Sequence, residues 1–267
     1  LNQLLSSVVL VTGKGGVGKT TVAAALAERF AEAGETVKLL HFSDAGAVSC
    51  RSERVTLVRL DPSDALLDVA VSLLQSKILA RMLTQNFAMR RLLNAAPAVH
   101  ELAMLFSVMR MQESGAARVV VDMPATGHGL AWLRVPRQLK KLIRVGPLAD
   151  LADRVDHMLH DEARTSIVVV TLAESLVMSE TLELVEDLDR DVGLTPALIV
   201  INRMPPLPDA GALERTGESV APAADVPADF QTTLNRLSEV LEVRRTQVAR
   251  AVAVLDAHKS GARWETR

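Results

Sequence analysis

Cysteine is nearly absent from this chain: Cys50 is the single one in 267 residues. One thiol builds neither an intrachain disulfide framework nor a multi-cysteine metal site. A reducing, cytoplasmic setting is the expectation that leaves. A charge excess is missing too. Thirty Lys+Arg against 32 Asp+Glu give a formal net charge of −2, so nothing global draws the chain to nucleic acid or anionic lipid, and no nucleic-acid partner is expected. No apolar run reaches bilayer-spanning length, so no integral membrane segment is expected. There is no internal repeat and no low-complexity tract; the nearest is a Pro/Ala/Gly-rich stretch over 205–227, read as a loop or linker. Leu1 rather than Met stands first, which leaves the completeness of the native start open.

What is present fits a folded globular protein: 49% of residues are hydrophobic and 23% charged, on a chain long enough for one large domain. Short apolar, β-branched runs over 7–12, 37–42, 55–60, 118–121, 166–171 and 197–201 read as strands. An Ala/Leu/Glu-rich helix over 21–33, stopped by Gly34, follows the first. Continuous apolar strands separated by helices indicate α/β architecture, a mostly parallel sheet sandwiched by helices. Residues 63–115 instead carry helical periodicity, with Leu66, Val69, Leu73, Ile78, Met82, Met89 and Leu93 recurring at threes and fours, and Pro97 opening a helix over 98–111. This predicts a single domain over 1–267 with a helical insertion at 63–115 and a second helical stretch at 137–162. Leu234, Leu241, Val248 and Leu255 recur every seven residues, which suits a long amphipathic terminal helix over 232–257.

The strand at 7–12 runs into Gly13-Lys14-Gly15-Gly16-Val17-Gly18-Lys19-Thr20 and then a helix. That is the pattern and context of a phosphate-binding loop, so the fold expected is a P-loop NTPase. Its glycines let backbone N–H groups wrap phosphate oxygens, and the helix that follows offers its positive end. Gly15, Gly16, Val17, Gly18, Lys19, Thr20 and Thr21 are the expected nucleotide contacts. Lys19 reaches the β- and γ-phosphates as a point charge, and the Thr20 hydroxyl is a ligand for Mg²⁺. Asp122, ending an apolar strand, can hold the same ion through a water; an ordinary turn-capping aspartate is the alternative. Lys14 is surplus to the pattern, and taken alone it is a solvated surface lysine as readily as a functional one.

Two motifs make it interpretable. Lys14-Gly15-Gly16-Val17-Gly18-Lys19-Thr20-Thr21 resembles the deviant phosphate loop of dimeric ATPases, and Asp122-Met123-Pro124-Ala125-Thr126-Gly127-His128 resembles the D-T-A-P-T-G-H switch II of the ArsA family. That family contains the arsenite-pump and tail-anchored-protein targeting ATPases. The stretches 130–136 and 171–188 also resemble it. The resemblance implies an ATPase using ATP and Mg²⁺, in which Lys14 crosses a dimer interface to the partner's nucleotide. It implies that Asn202, directly after an apolar strand, binds adenine, and that Asp44 orients the attacking water. Gly127 would let switch II bend, while His128 is a switch contact or a structural histidine. Switch I departs from the pattern: Ser43-Asp44-Ala45-Gly46-Ala47-Val48 stands where the family reads T-D-P-A-H-N, so slower hydrolysis or an altered switch motion is compatible with it. Residues 224–230 match the family's second adenine-side loop poorly.

The resemblance implies a homodimer that switches on a hydrophobic or membrane-protein client or a partner protein. A spatial organiser of the MinD/ParA kind, and a weakly hydrolysing subunit paired with a related chain, are the alternatives. With Cys50 alone, arsenite activation through a cysteine cluster is not expected, and the zinc-binding C-x-x-C pair of eukaryotic targeting factors is missing. Met82, Met89, Met104, Met109 and Met111 suit either an adaptable apolar groove or ordinary core.

Overall fold

The structure is a computed structural model that describes residues 5–42, 50–86, 97–203 and 263–266, together with positions 243, 246, 249, 250 and 253. Its strands are β1 (Val8–Gly13), β2 (Val37–His41), β3 (Val55–Arg59), β4 (Arg118–Asp122), β5 (Thr165–Leu172), β6 (Leu198–Asn202) and β7 (Arg263–Thr266). They form one seven-stranded sheet in the order β3-β2-β4-β1-β5-β6-β7, and every pairing is parallel. The helices are α1 (Lys19–Glu32), α2 (Pro62–Leu74), α3 (Lys77–Gln85), α4 (Pro97–Glu113), α5 (Thr126–Leu142), α6 (Pro147–His160) and α7 (Ser175–Asp187), the last running into a π-helical turn at Leu188–Val192.

Side chains alternate across each strand, so the sheet has two cores. Val9 and Val11 join Leu39, Val120, Val168 and Val200 against Ala23, Leu26, Ala27 and Phe30 of α1. Val8 and Leu10 join Leu40, Val121, Val169 and Ile199 against α2, α4, α5, α6 and α7. All six residues of β1 and all eight of β5 are buried, as central parallel strands require. The chain leaves β1 toward β2 on one side, while β5 pairs with β1 on the other. The β1–α1 loop therefore lies at the switch point of the strand order, beyond the carboxyl ends, where open α/β sheets take their ligands.

The expected strands all form, with ends shifted by a residue or so. β7 was not anticipated. The helical stretch expected over 137–162 is two helices: α5 ends at Leu142, and Pro147 opens α6 at its first turn. α5 begins at Thr126, so the T-G-H of the expected switch II is its first turn. The heptad leucines and valine of the tail lie outside the described residues, although the five described positions near them are helical where they fall at 243, 246, 249, 250 and 253. Within 63–115, α4 lies in the main core through Leu102, Phe106 and Met109.

At the amino end of β4, Arg118 binds the lower edge of the sheet together. Its side chain is only 10% exposed. Nε and Nη2 each donate to a carboxylate oxygen of Glu35 at 2.8 Å, and Nη1 donates to the Ser6 carbonyl at 2.8 Å and to that of Leu5. The guanidinium stacks on Phe30 at 4.3 Å. Removing one member of such a network strands the others without partners. Arg118→Ala is expected to cost about 3 kcal/mol in a denaturant-unfolding measurement; a midpoint equal to that of the parent protein would contradict this role.

Candidate functional site

The loop between β1 and α1 is built on backbone approach. Gly13 has φ of +143°, and a Cβ there would overlap the Val170 carbonyl of β5. Gly18 takes the left-handed conformation, φ 91° and ψ 30°, as it caps α1, and a Cβ there would overlap the Asn202 amide. Only glycine satisfies both conditions at each position. Asn202 Nδ2 donates to the Val17 carbonyl at 2.8 Å, fastening the loop to the end of β6. No side chain among the described residues caps α1, which leaves its positive end for an anion.

Lys19, Thr20 and Asp122 meet beneath this loop. Parallel register sets Asp122 beside Val11 of β1 and His41 of β2. The Thr20 hydroxyl donates to Asp122 Oδ2 at 2.6 Å. The other carboxylate oxygen, Oδ1, is buried with no hydrogen-bond partner among the described residues. A buried acceptor left open beside a threonine hydroxyl is a fit for a hydrated divalent cation bound with phosphates. Burial pushes the Asp122 carboxyl above its ordinary pKa, opposed by the Thr20 hydrogen bond and by the charges of Lys19 and His41. Burial likewise lowers the Lys19 ammonium below its usual value, with Asp122 working against it. Lys19 Nζ donates to the Lys14 carbonyl at 3.0 Å, holding the ammonium across the mouth of the loop.

The side chain of Lys14 points elsewhere and forms an ion pair with Glu180 of α7. The two border a hollow of about 250 Å³ lined also by Leu130, Thr181, Glu183, Leu184 and Asp187. α7 is set against β5 by the 2.7 Å contact between the Thr171 and Thr181 hydroxyls and by buried Met178. Glu180 had no assigned role in the sequence, where nothing marks one glutamate on an amphipathic helix, 166 positions away, as the partner of a loop lysine.

The structure thus brings Lys14, Lys19, Thr20, Asp122 and Asn202 to one end of the sheet. Gly15, Gly16 and Thr21 are exposed along the loop. Asp44 and the rest of the expected switch I lie outside the described residues, as do Met89 and the 224–230 segment. Gly127 and His128 are helical in backbone. The methionines divide: Met104 and Met109 are core, whereas Met82 on α3 is 66% exposed.

Gly18→Ala would strain the left-handed loop residue and push on Asn202. It is expected to weaken nucleotide binding at least about tenfold, a loss of roughly 1.4 kcal/mol, in a fluorescent-nucleotide titration; parent-like affinity would show that the loop does not need this geometry.

Comparison with known proteins gives the arrangement a lineage. The family described as "Anion-transporting ATPase" matches residues 6–50 and 145–216. ATPase BagA of Mycobacterium tuberculosis is 28% identical over 219 residues, covering 73% of this chain and 64% of its own length. An arsenical pump-driving ATPase of Escherichia coli is 31% identical over 206 residues, 73% of this chain and 34% of the relative. ATPase GET3 of Malassezia globosa is 27% identical over 252 residues, 76% of this chain and 74% of the relative. The chain therefore spans less than two thirds of the mycobacterial relative and about a third of the Escherichia coli one. With a glycine loop, Thr20 and Asp122 set at the switch point of a parallel sheet, and with relatives of this kind, the chain is related to the ArsA-type ATPases over the matched segments.

Proposed function

We propose that this chain is a dimeric, Mg²⁺-dependent ATPase that couples nucleotide state to its grip on a hydrophobic client or partner protein. The observation that carries the reading is the Thr20–Asp122 pair, with one buried Asp122 oxygen that has no partner among the described residues, beneath a helix N-terminus that none of those residues' side chains caps. ATP enters with its phosphates on the backbone N–H groups of Gly15 to Thr20. Lys19 exchanges the Lys14 carbonyl for phosphate oxygens. Thr20 and Asp122 would hold Mg²⁺, which when bound neutralises phosphate charge and fixes the orientation of the phosphates. Asn202 keeps the loop closed through Val17 and presents its amide oxygen toward the base. Lys14 serves the nucleotide of a second copy, placing positive charge where it develops in phosphoryl transfer, and Asp44 orients the attacking water.

The client half of the reading is supported by surface chemistry. Ile78, Leu79 and Met82 of α3 are 72%, 54% and 66% exposed, and Leu73 and Leu74 of α2 are partly so. Large apolar side chains exposed together on one short helix mark an interaction surface more often than scattered ones do. Among the described residues no helix is long and apolar enough to cross a membrane.

Phosphate release from Mg·ATP tests the catalytic core. Lys19→Ala is expected to lower turnover about 100-fold or more, and chelation of Mg²⁺ to abolish it. Lys14→Ala and Asp44→Asn should each reduce turnover with nucleotide binding largely kept. A parent protein no faster than Lys19→Ala would remove the enzyme reading.

A further inference from the structure

We propose that the Lys14–Glu180 ion pair is an intramolecular latch, which holds Lys14 on its own subunit and must open before that lysine reaches the nucleotide of a second copy. The proposal rests on the dimeric reading above, in which Lys14 acts in trans. It adds a competing state for that residue and names what competes.

The geometry makes the two uses of Lys14 exclusive. Its carbonyl accepts the Lys19 ammonium, which ties the backbone to the loop. Its side chain is turned onto α7, where Glu180 is its ion-pair partner. One ammonium cannot bind that carboxylate and also extend beyond the subunit to another chain's phosphates. Both ends of the pair are held by β5. Gly13, directly before Lys14, pairs in register with Val170 of β5. Thr181, directly after Glu180, bonds Thr171 at 2.7 Å and its own helix at Val177 O, also at 2.7 Å. The latch therefore joins two fixed points, so its formation orders little beyond two side chains. Glu183 and Asp187 line the same hollow, which keeps the lysine in a negative field after the direct contact stretches.

The strength of the pair suits a bias and not a lock. Both side chains are a little over one third exposed, 38% and 36%. Ion pairs with that exposure to water shift an equilibrium by about two- to fivefold. A deeply buried pair would trap Lys14 at home. This one can be outcompeted by the phosphates of a bound nucleotide, a stronger anion for an ammonium than a single carboxylate. Subunits without a nucleotide-loaded partner keep the lysine folded back, and closure then has to break the latch.

Glu180→Gln removes the charge and keeps the shape. ATP-dependent self-association is measured by sedimentation for the full chain, and phosphate release at protein concentrations below saturation of the dimer. The variant is expected to associate about two- to fivefold more tightly and to turn over faster by the same factor, with Glu180→Ala as a second variant and melting temperatures as a check on folding. The gain should vanish in Lys14→Ala/Glu180→Gln, which should match Lys14→Ala alone. Glu186→Gln, exposed on a different face of α7, should stay at parent values. Three results overturn the latch while leaving the dimeric reading intact: a Glu180→Gln association equal to or weaker than the parent, a gain that persists without Lys14, or an equal gain in Glu186→Gln. Lys14→Ala at parent values for association and turnover would instead remove the trans reading, and the latch with it.

Discussion

The nucleotide end of this molecule depends on one carboxylate, Asp122. Parallel pairing places it level with Val11 and His41, and its two oxygens are treated differently. One accepts the Thr20 hydroxyl; the other is buried with no partner among the described residues. A carboxylate in that position is costly unless something charged completes it. The raised pKa of Asp122 and the lowered pKa of Lys19 express the same cost from opposite signs. Burial works against the charged form of each, and their mutual attraction only partly offsets it. In the proposed function, a divalent cation on one side and phosphates on the other would relieve both costs.

The scaffold exists to hold that arrangement. β5 supplies the Val170 carbonyl against which Gly13 turns, and it carries α7 through the Thr171–Thr181 contact. β6 ends on Asn202, which clasps the loop at Val17. At the opposite end of β4, Arg118 gathers Glu35, Leu5 and Ser6 over Phe30. The strand with the site at its carboxyl end is thus anchored at its amino end by a separate charged network. The loop, α5 and α7 follow β1, β4 and β5, three neighbouring strands at the centre of the sheet.

Much of this was legible in the sequence, for reasons that differ by residue. The β1–loop–α1 unit announces itself because glycines at fixed spacing between an apolar run and an alanine-rich helix have few other uses. Asp122 was legible as the polar end of an apolar strand. β7 was not: a four-residue edge strand reading RWET has no apolar run to betray it. The break between α5 and α6 hid inside continuous helical periodicity, although Gly146-Pro147 is a sufficient signal in retrospect. The methionines could be counted but not placed, since Met82 and Met109 differ only in which face of which helix they occupy. Glu180 was the least accessible, because its meaning lies in a contact across 166 positions.

The central claim is that each nucleotide is served by lysines from two chains, Lys19 from its own and Lys14 from the other. Mixing two impaired variants tests it most directly. Lys14→Ala retains an intact phosphate site without a lysine to lend, and Lys19→Ala loses its own site while still offering Lys14. Phosphate release from an equal mixture should rise clearly above the sum of the two variants measured separately, and should depend on total protein concentration. A mixture that only sums its parts, at concentrations where the parent protein is fully active, would place Lys14 in the service of its own subunit and contradict the account.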